Sequence, residues 1–162
     1  MNQQLQTKTA APVQGHSFEP QNIEEAMKLA GTLSDSGLVP SALRGKPADV
    51  LVVLMKGREL GLSPMASLGN IHVIEGKATL SSDLIQGLVL ESGKCEYFRL
   101  VESSNTVAKY ATKRKDSPHE TVMDFSIEDA KNAGLLNKDN WRKYPKAMLR
   151  ARAAADLLRE VY

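Results

Sequence analysis

The sequence predicts an α+β fold in which helices cover one face of an antiparallel sheet. Three observations carry this. Apolar residues recur at helical spacing over 22–70. The spacing switches to alternation around Ile71 and Val73, and again over 97–125, with turn residues between the runs. Helical spacing then returns from Ser126 to the last residue.

Asn22 stands three residues before Glu25, the spacing of a capping box, and Ile23, Met27 and Ala30 follow at helical intervals. This helix is expected to end near Ser36-Gly37, with Pro40 opposing continuation. Gly45-Lys46-Pro47 opens a second helix, because proline suits a first turn whose amide needs no partner. Val50, Leu51, Val53, Leu54 and Leu60 make it apolar, and Gly61 is a suitable stop. Ser63-Pro64 begins a short third helical stretch that runs to Gly69.

Ile71 and Val73 read as a strand, Glu75-Gly76-Lys77 as a tight turn, and 78–80 as the return strand. Ser81 or Ser82 caps the next helix, with Asp83 in its first turn. Leu84, Ile85, Leu88 and Val89 form its buried side, and Gly93 ends it. Residues 97–101, 107–113 and 120–125 read as a three-stranded meander, turned by Ser103-Ser104-Asn105 and Asp116-Ser117-Pro118. Ser126 and Asp129 cap a short helix that ends at Gly134, and a basic final helix runs from about Tyr144. The expected sheet therefore combines a hairpin with a three-strand meander.

The chain has 162 residues, 42% hydrophobic and 25% charged, an average balance for a globular domain. A domain of this size buries about two-thirds of its unfolded surface and folds without disulfides or metal. Residues 1–17, rich in Gln, Thr, Ala and Pro, are expected to form a disordered tail, and 18–162 one α+β domain. No apolar run approaches the about 18 residues of a membrane span, and the first residues lack the apolar core of a secretory leader. A single cysteine, Cys95, forms no internal disulfide; a reducing, cytoplasmic setting is expected.

Catalytic and cofactor signatures are sparse. His16, His72 and His119 have no metal-ligand spacing, so neither metal nor cofactor is expected. Gly87 and Gly93-Lys94-Cys95 imitate a phosphate loop poorly. The glycine gap is one residue too long, and Cys95 stands where a magnesium-binding hydroxyl belongs. No Gly-x-Ser-x-Gly elbow occurs, and the acids are spread along exposed helix faces, so an enzyme is not expected.

The charge is segregated. Net charge is only +2, but residues 138–152 carry six bases against Asp139. On a wheel at about 100° per residue, Lys143, Lys146 and Arg150 share one border of the final helix and Arg152 and Arg159 the other. Between them Ala147, Met148, Ala151, Ala154, Ala155, Leu158 and Val161 form the expected apolar arc. Trp141 and Tyr144 interleave with these bases. Rings that stack on bases beside cations that neutralise phosphates are what single-stranded nucleic acid requires. Period two also puts Lys109, Ala111 and Lys113 on one face of their strand, with Tyr110 and Thr112 on the other. Lys113-Arg114-Lys115 continues the basic run into the turn. The competing reading makes the final helix a core helix with solvated flanks, and Tyr110 and Trp141 core aromatics.

The segment LGLSPMASLGNIHVIEGKATLSSDLIQGLVLESG, the strands after it, and NWRKYPKAMLRARAAADLLRE resemble the RecT family of phage-type single-strand DNA annealing proteins. The resemblance covers about residues 37–162 and lies in the order of parts. It implies ATP-independent binding and annealing of single-stranded DNA in homologous recombination, on rings or filaments of the protein. It also implies a basic groove that holds the strand by its backbone, to which Lys77, Lys146, Arg150 and Arg152 would contribute. Lys109, Lys113, Arg114, Trp141, Lys143 and Tyr144 are candidates from charge and spacing. Asp83 departs from the pattern, since several relatives carry a basic or aromatic residue near that point. Relatives continue past the last helix, so the resemblance implies a chain truncated at its C-terminus. The partners it implies are a phage exonuclease and the host single-strand-binding protein. Two other classes compete: a non-enzymatic regulator or adaptor whose basic helix docks a protein, and a metal-dependent nuclease whose metal-binding acids escape recognition.

Overall fold

Asn22 caps the first helix as its spacing predicts. Its side-chain oxygen accepts from the Glu25 amide at 2.9 Å, and a Glu25 carboxylate oxygen accepts from the Gln21 amide. The structure, a computed structural model, describes residues 20–74 and 76–162. The expected 1–17 tail lies outside the described residues.

Helix α1 (Ile23–Ser34) packs on α2 (Pro47–Glu59), which in turn packs on α3 (Pro64–Asn70). Ala30, Val39, Leu43, Val50, Val53, Leu54, Leu68 and Ile71 form the core of this part. Gly57 permits the α2–α3 contact. A Cβ there would lie 1.8 Å from the Ser67 hydroxyl oxygen, so any side chain would force the helices apart. Strands β1 (Ile71–Ile74) and β2 (Lys77–Leu80) form the hairpin, with Gly76 at φ 75° in the turn. The Ser81 amide donates to the Asn70 carbonyl at 2.8 Å, which ties the two ends of the hairpin together. Ser81 also caps α4 (Ser82–Glu91).

Strands β3 (Cys95–Ser103), β4 (Val107–Arg114) and β5 (Glu120–Ser126) pair antiparallel in the order β3-β4-β5. Ser126 and Asp129 complete a capping box for α5 (Ile127–Asn132). A short helix α6 (Asp139–Lys143) follows, then α7 (Pro145–Val161). The α+β class is as expected, with two differences. The hairpin stands as its own two-stranded sheet and does not join the meander. Helix α6 has too few residues to leave a periodic signal.

Helix α7 lies on the face of the meander that presents Ala108, Tyr110 and Thr112. Leu149 and Ala153 pack there with Ala108 and Trp141, while Ala155 and Leu158 pack against Ile85 and Val89 of α4 and against Cys95. The arc predicted for α7 therefore needs correction. Leu149, Ala153 and Leu157 are fully buried, whereas Ala147, Met148 and Ala151 are only half-buried. A single stripe assumes one neighbour; α7 packs mainly on two, the sheet through Leu149 and Ala153 and α4 through Ala155 and Leu158. The C-terminal end is latched to the sheet: the Tyr162 hydroxyl lies 3.0 Å from the Thr112 hydroxyl, and Arg114 donates to the Val161 carbonyl at 3.0 Å.

Candidate nucleic-acid interface

Pro145 starts α7 by breaking the backbone after α6. Tyr144, at φ −136° and ψ 54°, turns away from both helices and is 64% exposed. Lys143, Lys146 and Arg150 are exposed beside it, and none makes an ion pair among the described residues. The amino-terminal end of α7 adds its partial positive charge to theirs.

An aromatic pair lies on the sheet face that α7 covers, Tyr110 packed with the Leu149 and Ala153 cluster and Phe98 with the Ala155 and Leu158 cluster. Phe98 of β3 stacks on Tyr110 of β4 with centroids 4.9 Å apart and planes 12° from parallel. Both rings are half-buried, and the neighbouring Leu100, in register with Tyr110, is exposed. Burial pushes the Tyr110 hydroxyl pKa up, the positive charge of Arg150 pulls it back, and Asp83 of α4 pushes it further up. Arg150 of α7 and Asp83 of α4 thus act on Tyr110 with opposite sign. Asp83 brings the wrong sign for a phosphate to the edge of this surface.

The other candidates separate from this group. Trp141 is only 7% exposed and packs on Phe125 with centroids 6.2 Å apart, so its ring belongs to the core and offers no platform for a base. Lys109 and Lys113 share a face, as period two predicts, but it is the sheet face opposite α7. Lys113 pairs with Glu96 at 3.0 Å, and Lys109 stands in register between Glu102 and Asp124. On the same face Arg99 pairs with Glu120 at 3.0 Å, and the Tyr97 hydroxyl donates to the same carboxylate. The Tyr97 hydroxyl and the Arg99 guanidinium hold that carboxyl below its ordinary range. This face is close to neutral.

Arg114 is held by both carboxylate oxygens of Asp116 at 2.7 and 2.6 Å and sits 5.5 Å from the Tyr162 ring centroid. The hydrogen bond from Arg114 holds the Asp116 carboxyl down in its turn. Arg152 pairs with Asp156 at 3.0 Å and lies over Phe125. Lys77 is exposed in the hairpin, beside a separate groove that also involves Lys94 and Arg159. Of the ten residues singled out from the sequence, the structure gathers Lys143, Tyr144, Lys146 and Arg150.

Phe98 is the residue that sequence reasoning missed. Its strand was legible, but its stacking partner, Tyr110, is set by cross-strand pairing, and its ring packs on the cluster of Ile85, Val89, Ala155 and Leu158. Among the described residues no three His, Cys, Asp or Glu side chains converge as a metal-binding set, and no helix is long and apolar enough to cross a membrane. Comparison with protein-family models and with curated proteins finds no match for the chain.

Proposed function

We propose that this chain binds single-stranded DNA and anneals it to a complementary strand without ATP, in phage-type homologous recombination in the cytoplasm. The observation that carries the reading is the cluster of exposed cations Lys143, Lys146 and Arg150 around exposed Tyr144, none of them in an ion pair among the described residues. Lys143 at the end of α6 and Lys146 and Arg150 in the first half of α7 neutralise phosphates of any sequence. Tyr144 supplies a ring on which any base stacks. Neither contact uses the hydrogen-bonding edge of a base, so that edge stays available for a second strand. Non-enzymatic annealing needs nothing more of the protein than this presentation.

Repetition strengthens such a surface. Neighbouring protomers on one strand act at high effective concentration, so rings or filaments of the chain are the working form. A phage exonuclease would supply the single strand and the host single-strand-binding protein would compete for it.

Fluorescence annealing of two complementary oligonucleotides tests the reading. Annealing is expected without ATP or magnesium, with binding that falls steeply as salt rises and differs little between mixed sequences. For three phosphates per protomer the slope of log K on log salt is about −2. A flat salt response rejects the phosphate contacts. Strand loss on adding magnesium would mark a nuclease instead. A folded chain that neither binds nor anneals would leave an adaptor whose basic helix docks protein.

A further inference from the structure

Trp141 and Tyr144 stand three residues apart. Side chains at that spacing share a face of a helix, so a helix running unbroken from α6 into α7 would put both rings on one side. The structure separates them. Trp141 is 7% exposed and packs on Phe125, while Tyr144 is 64% exposed. An unbroken helix would also turn Lys143 and Lys146 away from the Tyr144 ring, because neighbours one and two residues apart do not face one another. The break between α6 and α7 removes both constraints.

The break centres on Tyr144. Its amide donates to the Asn140 carbonyl at 2.8 Å, and its carbonyl accepts from the Met148 amide at 3.0 Å. Tyr144 therefore ends α6 and caps α7, with φ −136° and ψ 54° outside the helical region. Pro145 follows at the first position of α7. A proline ring crowds the preceding residue out of the helical region. Proline also has no amide to bond the carbonyl four residues back, here that of Trp141. Trp141 and Leu149 belong to one core cluster, so the chain is anchored on both sides of the break.

We propose that Pro145 is the positioning residue of the base-stacking ring. By opposing helix at Tyr144 it keeps that ring off the face of Trp141 and open to a base. It acts through Tyr144 and needs no contact with the strand itself. The role rests on the reading of Tyr144 as a stacking ring, and a variant of each residue keeps the two claims apart.

Titration of the whole chain with an end-labelled, mixed-sequence single-stranded oligonucleotide decides the matter, with thermal unfolding measured on the same samples. Pro145→Ala lifts the constraint and permits one helix from α6 through α7. It is expected to weaken binding about tenfold, as Tyr144→Ala does, the scale of one stacked base. Its midpoint of unfolding should stay close to that of wild type. Added to Tyr144→Ala, it should cost no further affinity, because the ring it positions is already gone; independent residues would instead add their losses. Pro145→Ser serves if Pro145→Ala does not fold. Pro145→Ala that binds like wild type, while Tyr144→Ala binds weakly, overturns the positioning role and leaves the stacking ring standing. Tyr144→Ala that binds like wild type removes the stacking ring itself, and the positioning role with it. A double variant that loses a further tenfold, or a loss of binding in Pro145→Ala that only follows its unfolded fraction, makes the proline a structural residue and equally overturns the proposal.

Discussion

The two faces of the β3-β4-β5 sheet carry the same kinds of cation and treat them oppositely. On the open face Lys113 and Arg99 are matched by Glu96 and Glu120, and Lys109 lies between two acids in register. On the covered side, the end of α6 and the first half of α7 hold Lys143, Lys146 and Arg150 with no acid paired to them among the described residues. A phosphate responds to the field left after pairing, not to the number of bases in a segment. Strand pairing brings acids from neighbouring strands to within reach of a base. The start of α7 meets no acid in an ion pair among the described residues.

The sharpest way to break this comparison uses two aromatics three residues apart. Trp141→Ala should cost about 3–5 kcal/mol of stability, because it empties a packed core site. The fraction that stays folded should bind DNA normally. Tyr144→Ala should leave the midpoint of thermal unfolding unchanged and weaken single-strand binding by about 1–3 kcal/mol, the worth of one stacked base. If Trp141→Ala folds like wild type but loses binding, the assignment of the two rings is reversed.

Next come the cations of the covered face. Lys146→Ala with Arg150→Ala should weaken binding of every sequence alike and flatten the salt dependence by about one unit per residue lost. Folding should survive, since both side chains are exposed. Removing the opposing charge sharpens the point: Asp83→Asn should raise affinity, most at low salt, where screening is weakest. No change in affinity would place Asp83 away from the strand.

On the open face the expected effects are small. Lys109→Ala and Lys113→Ala should leave DNA affinity within about twofold of wild type and shift stability by no more than about 1 kcal/mol, the scale of exposed ion pairs. A loss comparable to that of the Lys146 and Arg150 double variant would move the strand to this face.

The smallest effect is a pH dependence on the same face. The folded state holds the Glu120 carboxyl down, through the Tyr97 hydroxyl first and Arg99 second. A depressed carboxyl stabilises the fold above its unfolded pKa, and that contribution is lost as pH falls through the folded-state value. The midpoint of Glu120→Gln should therefore lie below wild type at neutral pH and converge with it in acid, with DNA affinity unchanged throughout. A difference that persists in strong acid would mean that shape rather than charge is at stake.

Most of the fold was legible in the sequence because its signals are local. Asn22 with Glu25, Ser126 with Asp129, Pro47 and Pro64 each specify a helix start within four residues, and each helix starts there. Alternation around 97–125 specified three strands and correctly put Lys109 and Lys113 on one face with Tyr110 on the other. Local signals thus set the order of the longer elements and the side each residue takes along a strand. Tertiary structure alone decided which faces meet. It buried Leu149, Ala153 and Leu157 because α7 packs on both the sheet and α4, buried Trp141 but not Tyr144, and set acids beside the open-face cations while Lys146 and Arg150 of α7 have no ion pair among the described residues. The physical reason is range. Caps, turns and periodicity act over a few residues of chain, whereas burial and charge pairing depend on neighbours tens of residues away, which no local pattern records.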